Sequence, residues 1–405
     1  MTLRQALDMA LAQNPDVVMA RLERRSAAAN TLAKRDPFNM KAGVGSGLAY
    51  TYGFPATING QSPSIFQARG EMALYDRALK YRVDQARENE RGAALQSDIS
   101  EEQVAYQVYS AFLDAELAAR STSAGEDQIR NLERVMQLVQ VRVDESSALP
   151  IESRRAAVNL ERARKTVEDF RAAQTNLEIA LAEMLGLPAG DQVRPAQEER
   201  PPLMLNETEE EAVRRAIAES KEIRQLESNI IAKQLEVKSY DAEHLPKINL
   251  FLQYSLLARY NNFDVFFPRF QRNNAQLGAS FEIPLFLGTA VKAGKAAAET
   301  EIDKLRVQVD RTRSRIAADV QRSYAELERA ETERDLRREE RDLARDELDL
   351  VLTQYDEGTA LMAQVEAARA TEQQMWLQFY DAERGVAVAR LNILRDSGAL
   401  LAALK

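Results

Sequence analysis

Asn274-Ala275-Gln276-Leu277-Gly278-Ala279-Ser280-Phe281-Glu282-Ile283-Pro284-Leu285-Phe286-Leu287-Gly288 is the stretch on which the fold turns. Ala275, Leu277, Ala279, Phe281 and Ile283 alternate with Asn274, Gln276, Gly278, Ser280 and Glu282. A strict period of two predicts a strand with one apolar and one polar face. Pro284 cannot donate to a ladder, and no proline follows it to the end of the chain. Residues Leu287 to Tyr355 are filled with Ala, Leu, Glu, Arg and Gln, all good helix formers. They predict a helix of about 70 residues, ~100 Å long at ~1.5 Å per residue, too long to pack inside a compact domain. Leu336, Leu343 and Leu350, spaced by seven, suit a coiled-coil seam. Charges such as Glu331, Glu333, Arg334, Arg337, Arg338 and Glu339 read as its solvated face.

Working outward, Ile248, Leu250, Leu252 and Tyr254 alternate with Lys247, Asn249, Phe251 and Gln253, a second strand. The aromatic-rich segment Asn261 to Pro268 joins the two strands. A Gly-rich region at roughly 40–75 offers Leu48, Tyr50 and Tyr52 as one strand face, and Ile65 to Leu74 as a less regular strand. Each region reads as two strands of about ten residues joined by a loop.

Composition excludes much chemistry. The chain of 405 residues has no Cys and one His, which removes disulfides, thiolate metal sites and multi-His sites. His244 reads as structural, and Trp376 with Tyr380 as packing residues. No catalytic set, cofactor motif or metal cluster is legible. The formal net charge of −9 argues against a nucleic-acid partner. No window is apolar for the ~18 residues of a membrane-spanning helix. The first residues, Met1 to Leu7, lack the basic and apolar segments of a secretory signal. That predicts a cytoplasmic protein or a numbering that starts after a removed segment.

The two halves match in order. Ala10 to Val17 resembles Ala216 to Ile223, Asp36-Pro37 resembles Leu245-Pro246, and Ala73-Leu74-Tyr75 sits like Pro284-Leu285-Phe286. Met184-Leu185-Gly186 parallels Asp396-Ser397-Gly398. The offset drifts only from 206 to 212. The expected organisation is a first repeat at 1–186, with strands at about 41–75 and a tip near 146. A linker follows at 187–205. The second repeat is 206–405, with strands at about 247–284 and a tip near 358. Each repeat reads helix, two strands, long helix, turn, return helix.

Four strands cannot close a barrel, and an open sheet leaves unpaired edges. Oligomerisation would cover both the edges and the helical seams, and a trimer would supply twelve strands. Four motifs then resemble the outer-membrane efflux channels, the TolC-like family. Thr2-Leu3 to Asn14-Pro15-Asp16-Val17 is similar to its opening "LxxAL…NPxL" helix. Leu245-Pro246-Lys247-Ile248-Asn249-Leu250 is similar to "LPxLxL", which leads into the barrel. Phe281 to Gly288 is similar to "PLFxGG", which leads from the barrel into the long helix. Tyr355-Asp356-Glu357-Gly358-Thr359 with Val365-Glu366-Ala367 is similar to the helical tip "YxxGxxxxxxVLxA".

The resemblance implies an α+β membrane protein: long antiparallel helices in a coiled-coil α-barrel, with four strands per chain in a trimeric twelve-stranded β-barrel. It implies an exit duct in the outer membrane, with the helical part in the periplasm, for an efflux or type I secretion system. Its partners would be two further copies, outer-membrane lipid, a periplasmic adaptor (membrane fusion protein) and an inner-membrane pump. Ala275, Leu277, Ala279, Phe281 and Ile283 would face lipid, and Asn274, Gln276, Ser280 and Glu282 water. Pro246, Pro284 and Gly288 would mark the barrel-to-helix junctions. Tyr355, Asp356, Glu357, Gly358, Gln364, Glu366 and Glu152 would belong to the periplasmic aperture.

Two departures stand out. The best-known family members carry acidic residues six and nine positions after the tip Gly, where this chain has Gln364 and Ala367; Ala360 replaces an Arg. The carboxylate ring is therefore absent, and a different lining with a looser lock is expected. In the first tip Ser146 replaces the Gly, and Pro150 suits the first turn of the returning helix. The rival reading is a soluble coiled-coil scaffold without a pore, which would have no need of strand pairs at matching places.

Overall fold

The computed structural model describes residues 1–46, 64–146, 149–196, 204–205, 207–257 and 273–404. The first half runs α1 (Leu3–Gln13), α2 (Pro15–Arg35), β1 (Lys41–Gly45), β2 (Ser64–Tyr75), α3 (Arg77–Asp144) and α4 (Pro150–Met184). The second runs α5 (Glu209–Glu219), α6 (Lys221–Asp241), β3 (Lys247–Leu257), β4 (Asn273–Glu282), α7 (Gly288–Asp356) and α8 (Met362–Asp396), then a short α9 (Leu400–Ala403). Helix lengths recur: 11 residues for α1 and α5, 21 for α2 and α6, 68 and 69 for α3 and α7, 35 for α4 and α8.

Local chemistry sets these boundaries in parallel. Thr2 and Thr208 open α1 and α5 with capping boxes, closed by Gln5 and Glu211. The Thr208 N–H and hydroxyl hold the Glu211 carboxyl below its ordinary range. Asn14 and Ser220 then cap the next helices: Asn14 Oδ1 accepts from the Asp16 N–H at 2.8 Å, and Ser220 Oγ from the Ile223 N–H at 3.2 Å. Pro15 occupies the first helical position, where no hydrogen bond is lost.

Two compact units emerge. One comprises 22–95 and 224–310. It holds an antiparallel sheet in the order β1-β2-β3-β4. The helical segments pair in the same order. Thr31 of α2 bonds the Ala86 carbonyl of α3, Ser228 of α6 bonds the Glu88 carbonyl of α3, and Lys295 of α7 pairs with Asp241 of α6. Gly294 admits this last contact, because a Cβ there would lie 2.7 Å from the Tyr240 ring.

The other unit comprises 1–21, 96–223 and 311–405. Its core joins Leu3, Leu7 and Ala10 of α1 to Val104, Val108 and Phe112 of α3, Leu181 and Leu185, Leu391 of α8, and Leu400. Asn14 ties the ends together: it is buried, caps α2, and donates to the Met184 carbonyl at 2.6 Å. Both long pairs of helices turn sharply. Gly358 (φ +75°) ends α7 in a Schellman motif, with Thr359 N–H to Gln354 O and Gly358 N–H to Tyr355 O. Ser146 adopts φ +59° at the matching place after α3. A serine there is strained. Ser146→Gly is expected to raise stability by about 0.5–1 kcal/mol, the strain relieved less the extra backbone entropy of glycine. Urea unfolding of the two proteins in non-ionic detergent measures it.

The strands differ from expectation in detail. β4 ends at Glu282, one residue short of Ile283, as Pro284 has no N–H with which to extend the ladder. β2 looked irregular because its pairing slips twice, between Ser64/Phe66 and Ala73/Tyr75. Leu48, Tyr50 and Tyr52 of the first strand, the Asn261–Pro268 connection, and Pro201 and Pro202 of the linker lie outside the described residues.

Candidate functional site

Two features carry functional geometry. The first is the sheet, whose register sorts residues by face. Val44, Ala68, Tyr254 and Ala275 form one rung, and Ala42, Gly70, Leu252 and Leu277 the next on the same face. Met72, Leu250 and Ala279 follow, then Ile248 and Phe281. The opposite face presents Gly43, Arg69, Gln253 and Gln276, then Lys41, Glu71, Phe251 and Gly278. Phe251 lies over Gly278, where a Cβ would approach its ring to 2.6 Å, an aromatic covering a glycine. One face is thus apolar on every rung, and the other is polar around this ring. The apolar face is open: Val44 and Leu277 are each 75% exposed. A soluble monomer does not leave so continuous an apolar surface bare. Among the described residues no helix is long and apolar enough to cross a membrane. Pro246 and Pro284 flank β3 and β4, and Gly288 begins α7 at φ +67°.

The second feature is the pair of helical tips. Tyr355, the penultimate residue of α7, places its hydroxyl against the Arg142 guanidinium of α3. The same guanidinium lies 4.9 Å from the Tyr355 ring centroid, a cation–π arrangement. A second bridge joins α4 to α8: Asn159 Nδ2 donates to Glu366 Oε2 at 2.8 Å. Burial pushes the Glu366 carboxyl above its ordinary range, against the pull of Asn159, Arg155 and Arg369; Glu152 adds to the rise. Asp356 is the last residue of α7, and Glu357 is exposed in the turn. Gln364 accepts from the Leu361 N–H at 2.7 Å, folding back to cap α8. Arg142 and Asn159 were not legible in sequence. They lie 213 and 207 residues from their partners, and no local pattern marks them. Trp376 and Tyr380 pack as expected, with ring centroids 5.4 Å apart; Phe379 joins them, and Arg341 lies 4.5 Å from the Trp376 and Phe379 rings.

Strand order, sheet faces and paired long helices together define the fold of the outer-membrane channels. A crystal structure of a membrane protein from Pseudomonas aeruginosa superposes with a TM-score of 0.79 at 18% identity, covering 98% of this chain and 93% of that one. The outer membrane protein VceC from Vibrio cholerae superposes at 0.76 and 13% identity, covering 98% and 96%. The open state of the Neisseria gonorrhoeae MtrE outer membrane channel does so at 0.73 and 16%, covering 98% and 89%. No curated protein sequence matches the chain. Residues 212–399 match the model of the outer membrane efflux protein family.

Proposed function

We propose that the chain is one protomer of a homotrimeric outer-membrane duct. It passively conducts substrates handed over by an inner-membrane pump and a periplasmic adaptor. The carrying observation is the exposed sheet, apolar on one face and polar on the other, with β1 and β4 left as open edges. Only closed barrels and helices satisfy the backbone in lipid. Three copies, β4 of each beside β1 of the next, give twelve strands and no edge. The apolar face then meets lipid and the polar face water. Leu336, Leu343 and Leu350 of α7 are half or more exposed at heptad spacing, as a seam awaiting a neighbouring copy would be. A pore-less scaffold gives the bare apolar sheet no purpose. The equal helix lengths of the halves support two tandem repeats, 1–186 and 206–405, joined by 187–205. No residue is assigned a catalytic role.

The tips form the aperture in this reading, and the Arg142–Tyr355 contact holds one hairpin to the other. Breaking it is worth about 1–2 kcal/mol. Tyr355→Phe removes the hydroxyl contact and keeps the ring, whereas Arg142→Gln removes both; each should raise conductance in planar bilayers, and the double variant should do no more than Arg142→Gln alone. Additive effects, or none, would show the contact does not gate. Gln364→Asp restores an acidic residue at a position whose cap an aspartate tolerates. Divalent-cation block of the variant is expected. Unchanged conductance and unchanged block would place residue 364 away from the pore.

A further inference from the structure

Behind the tips, within the helical unit, α4 and α8 bound a groove of about 1230 Å³, with α3 and α7 forming its back. Four arginines line it: Arg154, Arg155 and Arg162 on α4, and Arg369 on α8. None of the four makes a hydrogen bond or ion pair through its guanidinium to another described residue; Arg155 and Arg369 act on Glu366 only through space. Arg164, two residues along and outside the groove, is by contrast held by Glu133 at 3.0 Å and Glu161 at 2.9 Å. The carboxylates lining the groove are already engaged. Asp127 pairs with Arg130, Glu366 accepts from Asn159 at 2.8 Å, and Glu372 accepts from the Trp376 indole at 2.8 Å. Trp376 and Tyr380 close one end, and Val158, Leu348 and Leu352 add apolar surface.

Open guanidinia beside aromatic and aliphatic walls suit a particular chemistry. A guanidinium fork bonds carboxylate or sulfonate oxygens in pairs, and a flat apolar body stacks on indole and phenol. The volume is that of a site for drug-sized molecules or larger. We infer that this groove binds organic anions, carboxylates or sulfonates on an aromatic or fused-ring body, and that the substrates of the duct include this class. The site itself stands on the groove, and its meaning as a substrate site rests on the duct reading above. A helical acidic peptide is the competing occupant. The aromatic end wall favours the small molecule, because ring stacking has no role in seating a carboxylate-bearing helix.

Trp376 is the only tryptophan in the chain, so its fluorescence reports on this groove. The test uses the full chain in non-ionic detergent. Energy transfer from Trp376 is measured to dansylate, an aromatic sulfonate, and to dansylcadaverine, a cation with the same fluorophore. Saturable transfer to dansylate alone is expected. The variant Arg154→Gln/Arg155→Gln/Arg369→Gln should weaken it by at least about tenfold, as loss of charge-assisted hydrogen bonds requires. Arg164→Gln should leave it unchanged and controls for folding. Equal transfer to both dyes, an unaffected triple variant, or displacement of dansylate by polyglutamate but not by naphthalenesulfonate would overturn the inference. Conductance is measured on the same preparation. Conduction without saturable dansylate binding removes this inference alone, and saturable binding without conduction removes the duct.

Discussion

Leu277→Arg is expected to abolish or sharply reduce accumulation of assembled protein in the outer membrane. Leu277 lies mid-strand in β4, on a rung with Leu252, Gly70 and Ala42, and is 75% exposed. If that face meets hydrocarbon, an arginine near the midplane costs about 2–4 kcal/mol per copy, and a trimer carries the penalty three times. Gln276→Arg is the control. It changes the adjacent residue on the same strand, whose rung is Gln253, Arg69 and Gly43. There the charge would stand in water and assembly should survive. The comparison separates the faces, because both variants add the same side chain to the same strand. Quantifying trimer extracted from outer-membrane fractions reads the result. Equal tolerance of both would mean that the apolar face does not contact lipid.

Gly186→Ala is expected to be the more damaging of two formally alike substitutions. Gly186 and Gly398 end α4 and α8 with nearly the same conformation, φ +74° and +71°. Both sit in Schellman motifs, Leu187 N–H reaching Ala182 O and Ala399 N–H reaching Leu394 O. Their surroundings differ. A Cβ at Gly398 meets nothing within 4 Å, whereas one at Gly186 would lie 2.6 Å from the Gln13 carbonyl oxygen and 3.1 Å from its carbon. Gly398→Ala should therefore cost only the left-handed strain, about 1–2 kcal/mol. Gly186→Ala adds overpacking of about 1–3 kcal/mol against backbone that cannot step aside. It also presses on the turn where Asn14 bonds Met184. Unfolding in urea, with the two variants side by side, decides it; equal losses would mean that the Gln13 carbonyl yields freely.

Much of the fold was legible because its determinants are local. The proline-free run from Leu287 to Tyr355 announced a helix of that length, and α7 spans Gly288–Asp356. The alternation at 274–282 became β4, and its face assignment follows from pairing with β3. Gly358 marked a tip because a positive φ favours glycine. What escaped the reading depends on contacts between distant segments. The Arg142–Tyr355 and Asn159–Glu366 contacts each join the two halves of the chain. Gln364 was chosen for its spacing from Gly358, and its amide turned out to serve α8 as a cap. The cationic groove escaped for the same reason: Arg154, Arg155 and Arg369 resemble any other exposed helical charge until their lack of partners can be seen.

The duct itself is tested most directly by planar-bilayer recording of the purified chain added from detergent. The account predicts discrete, long-lived conductance steps, each from one trimer inserted as a unit. Protein that remains in solution without detergent and produces no steps would contradict it.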